Sequence, residues 1–226
     1  MSTRSRRTAI ALIPIVALGL TACVGGPSVE VGSEPPTSFT APVWALDTDP
    51  VGAWLTSVAT DDLRIDIYQA GVEPSTEDSA WAYSETDEPI FNEGEPIVVL
   101  HLVLTNTGDE DVVLASAEPE ITANYESLDL SSLPPENHFG DIVDSLGIAQ
   151  DGAIDYDYTI DNDYQGLTGS WDMPVAPGES IAWPAVYMYL TDAGFEMRFR
   201  VWEYTNGIFN YSSAKFDSGF VDIPLT

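Results

Sequence analysis

The sequence contains very few cysteines and very few basic residues. Its 226 residues include one cysteine, so no disulfide can form within the chain and the fold must be held together by its core. Seven Lys and Arg residues stand against 37 Asp and Glu residues, and the formal net charge is −30. Because a nucleic-acid-binding protein needs a basic face, this composition argues against nucleic acid as a partner.

Three of the seven basic residues lie at the start of the chain. These arginines precede residues 8–20, which are almost wholly apolar, and small residues then lead to Cys23. A basic start, a short apolar region and a small-residue cleavage site together predict a secretory signal peptide over residues 1–22. The apolar stretch is about 13 residues long, whereas a membrane-spanning helix needs roughly 20, so a retained spanning helix is the weaker interpretation.

The end of this segment carries a resemblance. Leu20, Thr21, Ala22 and Cys23 match the lipobox of bacterial lipoproteins. The resemblance implies that the peptide is cut before Cys23 and that the sulfur of Cys23 carries a diacylglycerol. Two acyl chains are enough for stable attachment to a membrane. We therefore expect a protein that is anchored by lipid to the extracytoplasmic face of the cell membrane.

The stretch that follows Cys23 is rich in Gly, Pro, Ser, Thr and Glu, a composition that buries little apolar surface. It predicts a flexible linker over residues 23–50 and a β-sandwich domain over residues 51–226. Cleavage removes three arginines and no acid, so the remaining chain has four basic residues and a formal charge of −33. An anionic membrane repels such a domain, and we expect the lipid alone to hold the protein there.

Short strand-like segments separated by Gly, Pro and Asn turns dominate the rest of the chain. Residues 97–105 are apolar on both faces, which predicts a central strand, and residues 195–204 alternate between apolar and polar. The turn-like residues 106–109 and the apolar residues 112–114 predict a hairpin with the central strand. The fold class predicted from this pattern is all-β, an antiparallel β-sandwich.

Two segments carry a second resemblance. Residues 95–114 and 175–187 resemble the immunoglobulin-like domains of bacterial, in particular actinobacterial, surface lipoproteins. In those domains a hydrophobic strand ends in Asn-Thr-Gly, as residues 106–108 do, and a Pro-Gly-Glu turn precedes a later strand, as residues 177–179 do. The resemblance implies an immunoglobulin-like sandwich without enzymatic activity. It leaves residues 115–176 as an elaborated loop or insertion.

An acidic run is the most distinctive candidate site. Asp155, Asp157, Asp161 and Asp163 all occupy odd-numbered positions, so a strand here would place these carboxylates on one face. Like charges at that spacing repel each other, and a hard cation with oxygen ligands relieves the repulsion. The pattern is a candidate Ca²⁺ site, and the alternative is a solvated face of a very acidic protein. We expect no other cofactor.

Other residues favour structural roles. Arg198 and Arg200 share one strand face, where ion pairs with nearby acids are favoured over a site for an anionic ligand. His101 lies within the central strand and is expected to be a hydrogen-bonded core residue. The six tryptophans, including Trp202, are expected to lie mostly in the core rather than on a sugar-binding surface.

These observations lead to one principal hypothesis and two alternatives. The principal hypothesis is a non-catalytic, lipid-anchored β-sandwich that binds an unidentified ligand or protein partner in the cell envelope. The first alternative is a Ca²⁺-dependent binding or adhesion module that uses the acidic run. The second is a cell-wall or glycan hydrolase that uses a carboxylate pair, which would lie in a deep, aromatic-lined cleft.

Overall fold

The computed structural model describes residues 29–114, 119–128, 130–150, 153–157, 173–190, 194–202, 204–205, 208–209 and 214–226. Over these residues the chain forms antiparallel sheets that pack against each other, so the prediction of an all-β sandwich is confirmed. The immunoglobulin-like identity stays a prediction. Cys23, Asp161 and Asp163 lie outside the described residues.

The named elements of the described chain are thirteen strands, an α-helix and a short 3-10 helix, and residues 156–157 form a further helical turn. In chain order they are β1 (Glu30–Val31), β2 (Ala53–Ala59), β3 (Leu63–Pro74), β4 (Pro96–Asn106), β5 (Val112–Leu114), β6 (Glu120–Tyr125), the 3-10 helix (Glu126–Leu128), β7 (Leu130–Leu133), α1 (Gly140–Ser145), β8 (Met173–Val175), β9 (Ser180–Met188), β10 (Phe195–Val201), β11 (Tyr204–Thr205), β12 (Ile208–Phe209) and β13 (Phe216–Asp222).

The larger sheet has five strands in the order β1-β2-β3-β4-β9. Strand β4 pairs along its length with β3 and β9 and is buried on both faces, as its two-sided apolar pattern predicted. Leu102 and Leu104 point into the main core. Val103, on the opposite face, packs in a second apolar cluster with Tyr68 and Ala182. Because successive side chains of a strand point to opposite faces, β4 supplies apolar surface to both.

The second sheet has four strands in the order β13-β10-β6-β7. In β10, Phe195, Met197, Phe199 and Val201 are buried in the main core, while the residues between them are half-buried. This alternation is typical of a sheet with one face on the core and one towards solvent. Residues 115–176 supply β6 and β7 to this sheet. The prediction that they form an elaborated loop or insertion is therefore wrong for this part.

The hairpin predicted between β4 and β5 is also wrong. Both segments are strands, but β5 pairs with β8 in a separate two-stranded sheet. The side chain of Asn106 explains the difference, because its amide donates hydrogen bonds to the carbonyls of Glu110 and Val175, each at 2.8 Å. The amide oxygen of Asn106 also accepts the N–H of Gly108 at 3.0 Å. The predicted turn at residues 106–109 is present, and it directs the chain away from β4.

Residues 29–50, here called the N-terminal segment, belong to the fold. Strand β1 pairs with β2, Phe39 packs on the second apolar cluster, and Trp44 is 1% exposed in the main core. Arg64 holds this segment by donating to the backbone oxygens of Ser33 at 2.9 Å and Glu34 at 2.7 Å. The prediction of a flexible linker over residues 23–50 is therefore wrong from residue 29 onwards, and the folded domain begins before residue 51.

Candidate functional site

A cleft with a volume of about 490 Å³ lies beside the outer edge of the five-stranded sheet. Its walls come from four parts of the chain: the loop before β4, the loop between β7 and α1, α1 itself with the turn after it, and β9. The residues that line it are Trp81, Pro134, Pro135, Glu136, Asn137, Phe139, Gly140, Val143, Gln150, Pro184 and Val186. This combination of an apolar surface and a few polar groups is typical of ligand sites.

Glu136 ties two of these walls together. Its backbone N–H donates to the carbonyl of Val186 in β9 at 2.9 Å. Its carboxylate accepts hydrogen bonds from the hydroxyl of Ser79 and from the N–H of Ala80, the latter at 3.2 Å. Ser79 Oγ in turn accepts the N–H of Trp81 at 3.0 Å. The carboxylate therefore fixes the loop that contains Trp81, a residue that remains 37% exposed.

The floor of the cleft is apolar. Phe139 and Val143 are buried, and the Phe139 ring packs against Phe91 with a centroid distance of 6.0 Å. Helix α1 begins at Gly140, where an added Cβ would collide with the side chain of Gln150. The absence of a side chain at Gly140 therefore allows the amide of Gln150 to lie over the start of α1, at the rim of the cleft.

The buried carboxylate of Glu136 has a histidine as its ionisable neighbour. The side chain of Glu136 is 2% exposed, and the nearest ionisable neighbour is His138, whose Nδ1 lies 3.4 Å from Oε2 without a hydrogen bond. All four basic residues of the chain after residue 22 pair with acids elsewhere. Their pairs are Arg64 with Asp66, Arg198 with Asp217, Arg200 with Glu120, and Lys215 with Asp62.

The acidic run does not form the predicted strand where the structure describes it. Asp155 is half-buried and its N–H donates to the carbonyl of Trp44 at 3.0 Å, while Asp157 is exposed in a helical turn. The expectation that these two carboxylates share a strand face is therefore wrong. Within the described ranges no group of three or more potential ligands could hold a metal ion. The Ca²⁺ hypothesis stays a prediction that depends on Asp161 and Asp163.

Arg198 and Arg200, on one face of β10, form ion pairs with acids, as predicted. Arg198 Nε donates to Asp217 Oδ1 at 2.8 Å, and Arg200 donates to Glu120 at 2.6 Å. The hydrogen bonds from Arg198 lower the pKa of Asp217 below its ordinary value. Trp202 lies on this same face, half-buried, and donates to Glu120 at 3.0 Å, so the expectation that it lies in the core is wrong.

His101 has the structural role that the sequence predicted. It is buried on the second face of the five-stranded sheet, and its Nδ1 accepts the N–H of Val51 at 2.9 Å. Burial lowers the pKa of His101 from 6.5 to about 4, so the ring is neutral at physiological pH. An accepting Nδ1 places the proton of the neutral ring on Nε2.

The hydrolase alternative required an acid pair in an aromatic-lined cleft. Among the described residues that line the cleft, Glu136 is the single carboxylate, and both of its oxygens are occupied by the hydrogen bonds of the neighbouring loop. A glycosidase of the usual kind needs two carboxyl groups that flank the scissile bond. The described residues of this cleft do not contain such a pair, and the hydrolase alternative stays a prediction.

No protein-family model, curated protein or solved structure matches this chain. Within the part of the chain that is described, none of the helices has the length and apolar character required to cross a membrane.

Proposed function

We propose that this chain is a lipoprotein, anchored through Cys23 at the extracytoplasmic face of the cell membrane, that binds a protein partner of the cell envelope without catalysing a reaction. The cleft is its binding site. The observation that carries the proposal is the exposure of Trp81, a residue that lines the cleft and lies in a loop held by the buried carboxylate of Glu136. Tryptophan is among the residues that most often dominate binding energy at protein interfaces.

The lipobox at residues 20–23 supports the anchor, and the paired strand β1 shortens the expected tether. Seven residue steps separate Cys23 from Glu30, where the chain joins the five-stranded sheet. At roughly 3.3–3.6 Å per residue, this distance is at most about 25 Å. An anchored domain therefore lies close to the bilayer, where its partner is a membrane-proximal protein of the envelope.

Cell fractionation tests the anchor. The intact chain should sediment with membranes and partition into detergent, whereas Cys23→Ala should leave the membrane fraction. Thr21→Ser is the matched control, because it changes the same segment and still satisfies the lipobox. Equal membrane retention of the wild-type chain and Cys23→Ala would contradict the lipid anchor.

Co-purification from detergent-solubilised membranes tests the binding site. Trp81→Ala should reduce recovery of the partner by about tenfold, because it removes the exposed ring from the cleft. Phe220→Ala is the matched control: Phe220 is also 37% exposed, but it lies in β13 of the other sheet. If both variants recover the partner as well as the wild-type chain does, the cleft is not the binding site.

A further inference from the structure

We infer that His138 and Glu136 form a pH-sensitive clamp, in which protonation of the His138 ring draws two loops of the cleft together and strengthens binding of the partner. This inference rests on the proposed function and adds its regulation. The two loops are the loop before β4, which contains Trp81, and the loop between β7 and α1, which contains the pair.

The His138 ring lies between these two loops. Its Nε2 is 3.2 Å from the backbone carbonyl oxygen of Asp78, in the loop before β4. Because a carbonyl oxygen can only accept a hydrogen bond, Nε2 is the donor, and the neutral ring has its lone pair on Nδ1. The ring also packs against Phe139 at the floor of the cleft, with a centroid distance of 4.0 Å. A change of charge on the ring therefore acts on both loops and on the floor.

The lone pair of His138 Nδ1 lies beside another acceptor. Nδ1 is buried and has no hydrogen-bond partner among the described residues, and Glu136 Oε2 lies 3.4 Å away. Two acceptors gain nothing from this contact while the ring is neutral. Protonation places a hydrogen and positive charge at Nδ1, and the contact becomes attractive. Charge-assisted hydrogen bonds are about 2.7–2.9 Å long, so the ring and the carboxylate should approach each other by about 0.5 Å.

The carboxylate of Glu136 transmits this change to the loop that contains Trp81. Its Oε1 accepts a hydrogen bond from the hydroxyl of Ser79, and its Oε2 accepts the N–H of Ala80 at 3.2 Å. Ser79 Oγ in turn accepts the N–H of Trp81 at 3.0 Å. A protonated His138 therefore adds a bond to the network that holds Trp81. A cleft that is held more firmly loses less conformational entropy on binding, so its affinity for the partner rises.

Three other ionisable groups lie near the pair. Asp78 faces the His138 ring through its backbone carbonyl, while its carboxylate accepts a backbone N–H of its own loop at 2.8 Å. Burial, and after it the charge of Glu136, raises the pKa of Tyr125 in β6 well above its ordinary value, so this phenol stays neutral. Asp141, in the first turn of α1, is exposed. Histidine is the side chain whose charge ordinarily changes between about pH 5 and 8, so the change in this group falls on His138.

Fluorine NMR tests the clamp on the full chain in detergent. The tryptophans are replaced by fluorotryptophan, and Trp81→Phe assigns the resonance of Trp81. Between about pH 8 and about pH 5.5 we expect this resonance to shift with the same midpoint as the ring carbon signal of His138. Both signals come from the wild-type sequence, so the test survives if a histidine variant does not fold.

The two histidines of the chain give a matched pair of variants. His138→Gln should abolish the shift of the Trp81 resonance. His101→Gln should retain it, because the folded pKa of His101 is about 4 and its ring stays neutral over this range. Co-purification follows the protein that the wild-type chain recovers and Trp81→Ala loses. Its recovery should rise about fivefold at the lower pH for the wild-type chain and His101→Gln, and should not change for His138→Gln.

Two results would overturn the inference. A Trp81 resonance that does not move, or that moves equally in His138→Gln, would show that His138 does not act on this loop. Equal Trp81-dependent recovery of the protein at both pH values would show that the clamp does not regulate binding, and the proposed function would stand. If the Trp81 resonance responds through His138 but no protein is recovered at either pH, the proposed function fails and the pH response remains a property of the fold.

Discussion

The outer faces of the two sheets differ in their exposure to solvent. The outer face of the four-stranded sheet is open and carries half-exposed ion pairs, such as Arg200 with Glu120. The corresponding face of the five-stranded sheet is apolar around Val103 and is covered, in part by Phe39 of the N-terminal segment. On that covered face the carboxylate of Asp66 is fully buried, and its partner Arg64 is only 12% exposed. Ion pairs of the same residue types are therefore expected to contribute differently to the free energy of unfolding on the two sheets.

This difference has a general lesson for interpreting strands. Apolar and polar residues alternate in strand β10, so its own sequence indicates one face towards solvent. Strand β4 is buried on both faces and therefore requires other segments to pack on both. The cover comes from a Gly-, Pro- and Ser-containing stretch that has little periodicity. A two-sided apolar strand thus predicts that some other segment packs on it, even where composition suggests a linker.

The largest expected effect concerns the anchoring of the N-terminal segment in the core. Trp44→Ala should lower the free energy of unfolding by about 3–5 kcal/mol, because it empties a fully buried site and removes the hydrogen bond from Nε1 to the carbonyl of Pro174. Val43→Ala is the matched control, because Val43 is 67% exposed. This substitution should change the free energy of unfolding by less than about 0.5 kcal/mol. Urea unfolding measures both. A flexible linker would give two small, equal effects.

The next expected effect separates the ion pairs of the two sheets. Arg64→Ala leaves the carboxylate of Asp66, which is 0% exposed, without its partner, and should cost about 3–5 kcal/mol. Arg200→Ala, on the open sheet, should cost less than about 1 kcal/mol. Thermal and urea unfolding of both variants give the comparison. Losses of the same size would mean that the cover over Arg64 does not exclude water.

His101 provides a pH-dependent test of the same cover. Its folded pKa of about 4 lies below the ordinary 6.5, so between these pH values the unfolded chain binds a proton that the folded chain does not. Stability should therefore fall as pH decreases from 6.5 to 4, by about 3 kcal/mol relative to His101→Gln. Urea unfolding at several pH values measures the difference. Parallel pH profiles for the two chains would place His101 in contact with solvent.

The smallest expected effect lies on the open sheet. Arg198 lowers the pKa of Asp217, so the contribution of this pair is present above the ordinary carboxyl pKa of 3.8 and is lost as pH falls through the lower folded value. Arg198→Ala should raise the pKa of Asp217 towards 3.8 with little change in stability at pH 7, because the pair is partly exposed. NMR titration of the carboxyl carbon tests this. An unchanged pKa would assign the shift to the N–H of Gly219 instead.

Sequence patterns predicted the strands better than their partners. The two-sided run of β4 and the alternation of β10 identified a central strand and a one-sided strand, because period and burial are local properties. The pairing of β5 with β8 depends on contacts across residues distant in sequence, such as the bond from Asn106 to Val175. No local pattern contains that information.

The candidate site was less predictable. Glu136 is one of 37 acidic residues, and nothing in its immediate sequence distinguishes a buried carboxylate from the solvated ones. The placement of Pro134 and Pro135 in the same cleft as Pro184 and Val186 of β9 arises from folding. Trp81 was one of six tryptophans that the core was expected to absorb. The acidic run was more conspicuous in the sequence than any of these residues.

Site-specific photo-cross-linking in intact cells tests the central claim that the cleft, rather than the open sheet, contacts the partner. A benzoylphenylalanine replaces Trp81 in one variant and Phe220 in the other, with Cys23 unchanged in both. We expect a discrete cross-linked partner from position 81 and none from position 220. Cross-links from position 220 alone would contradict it.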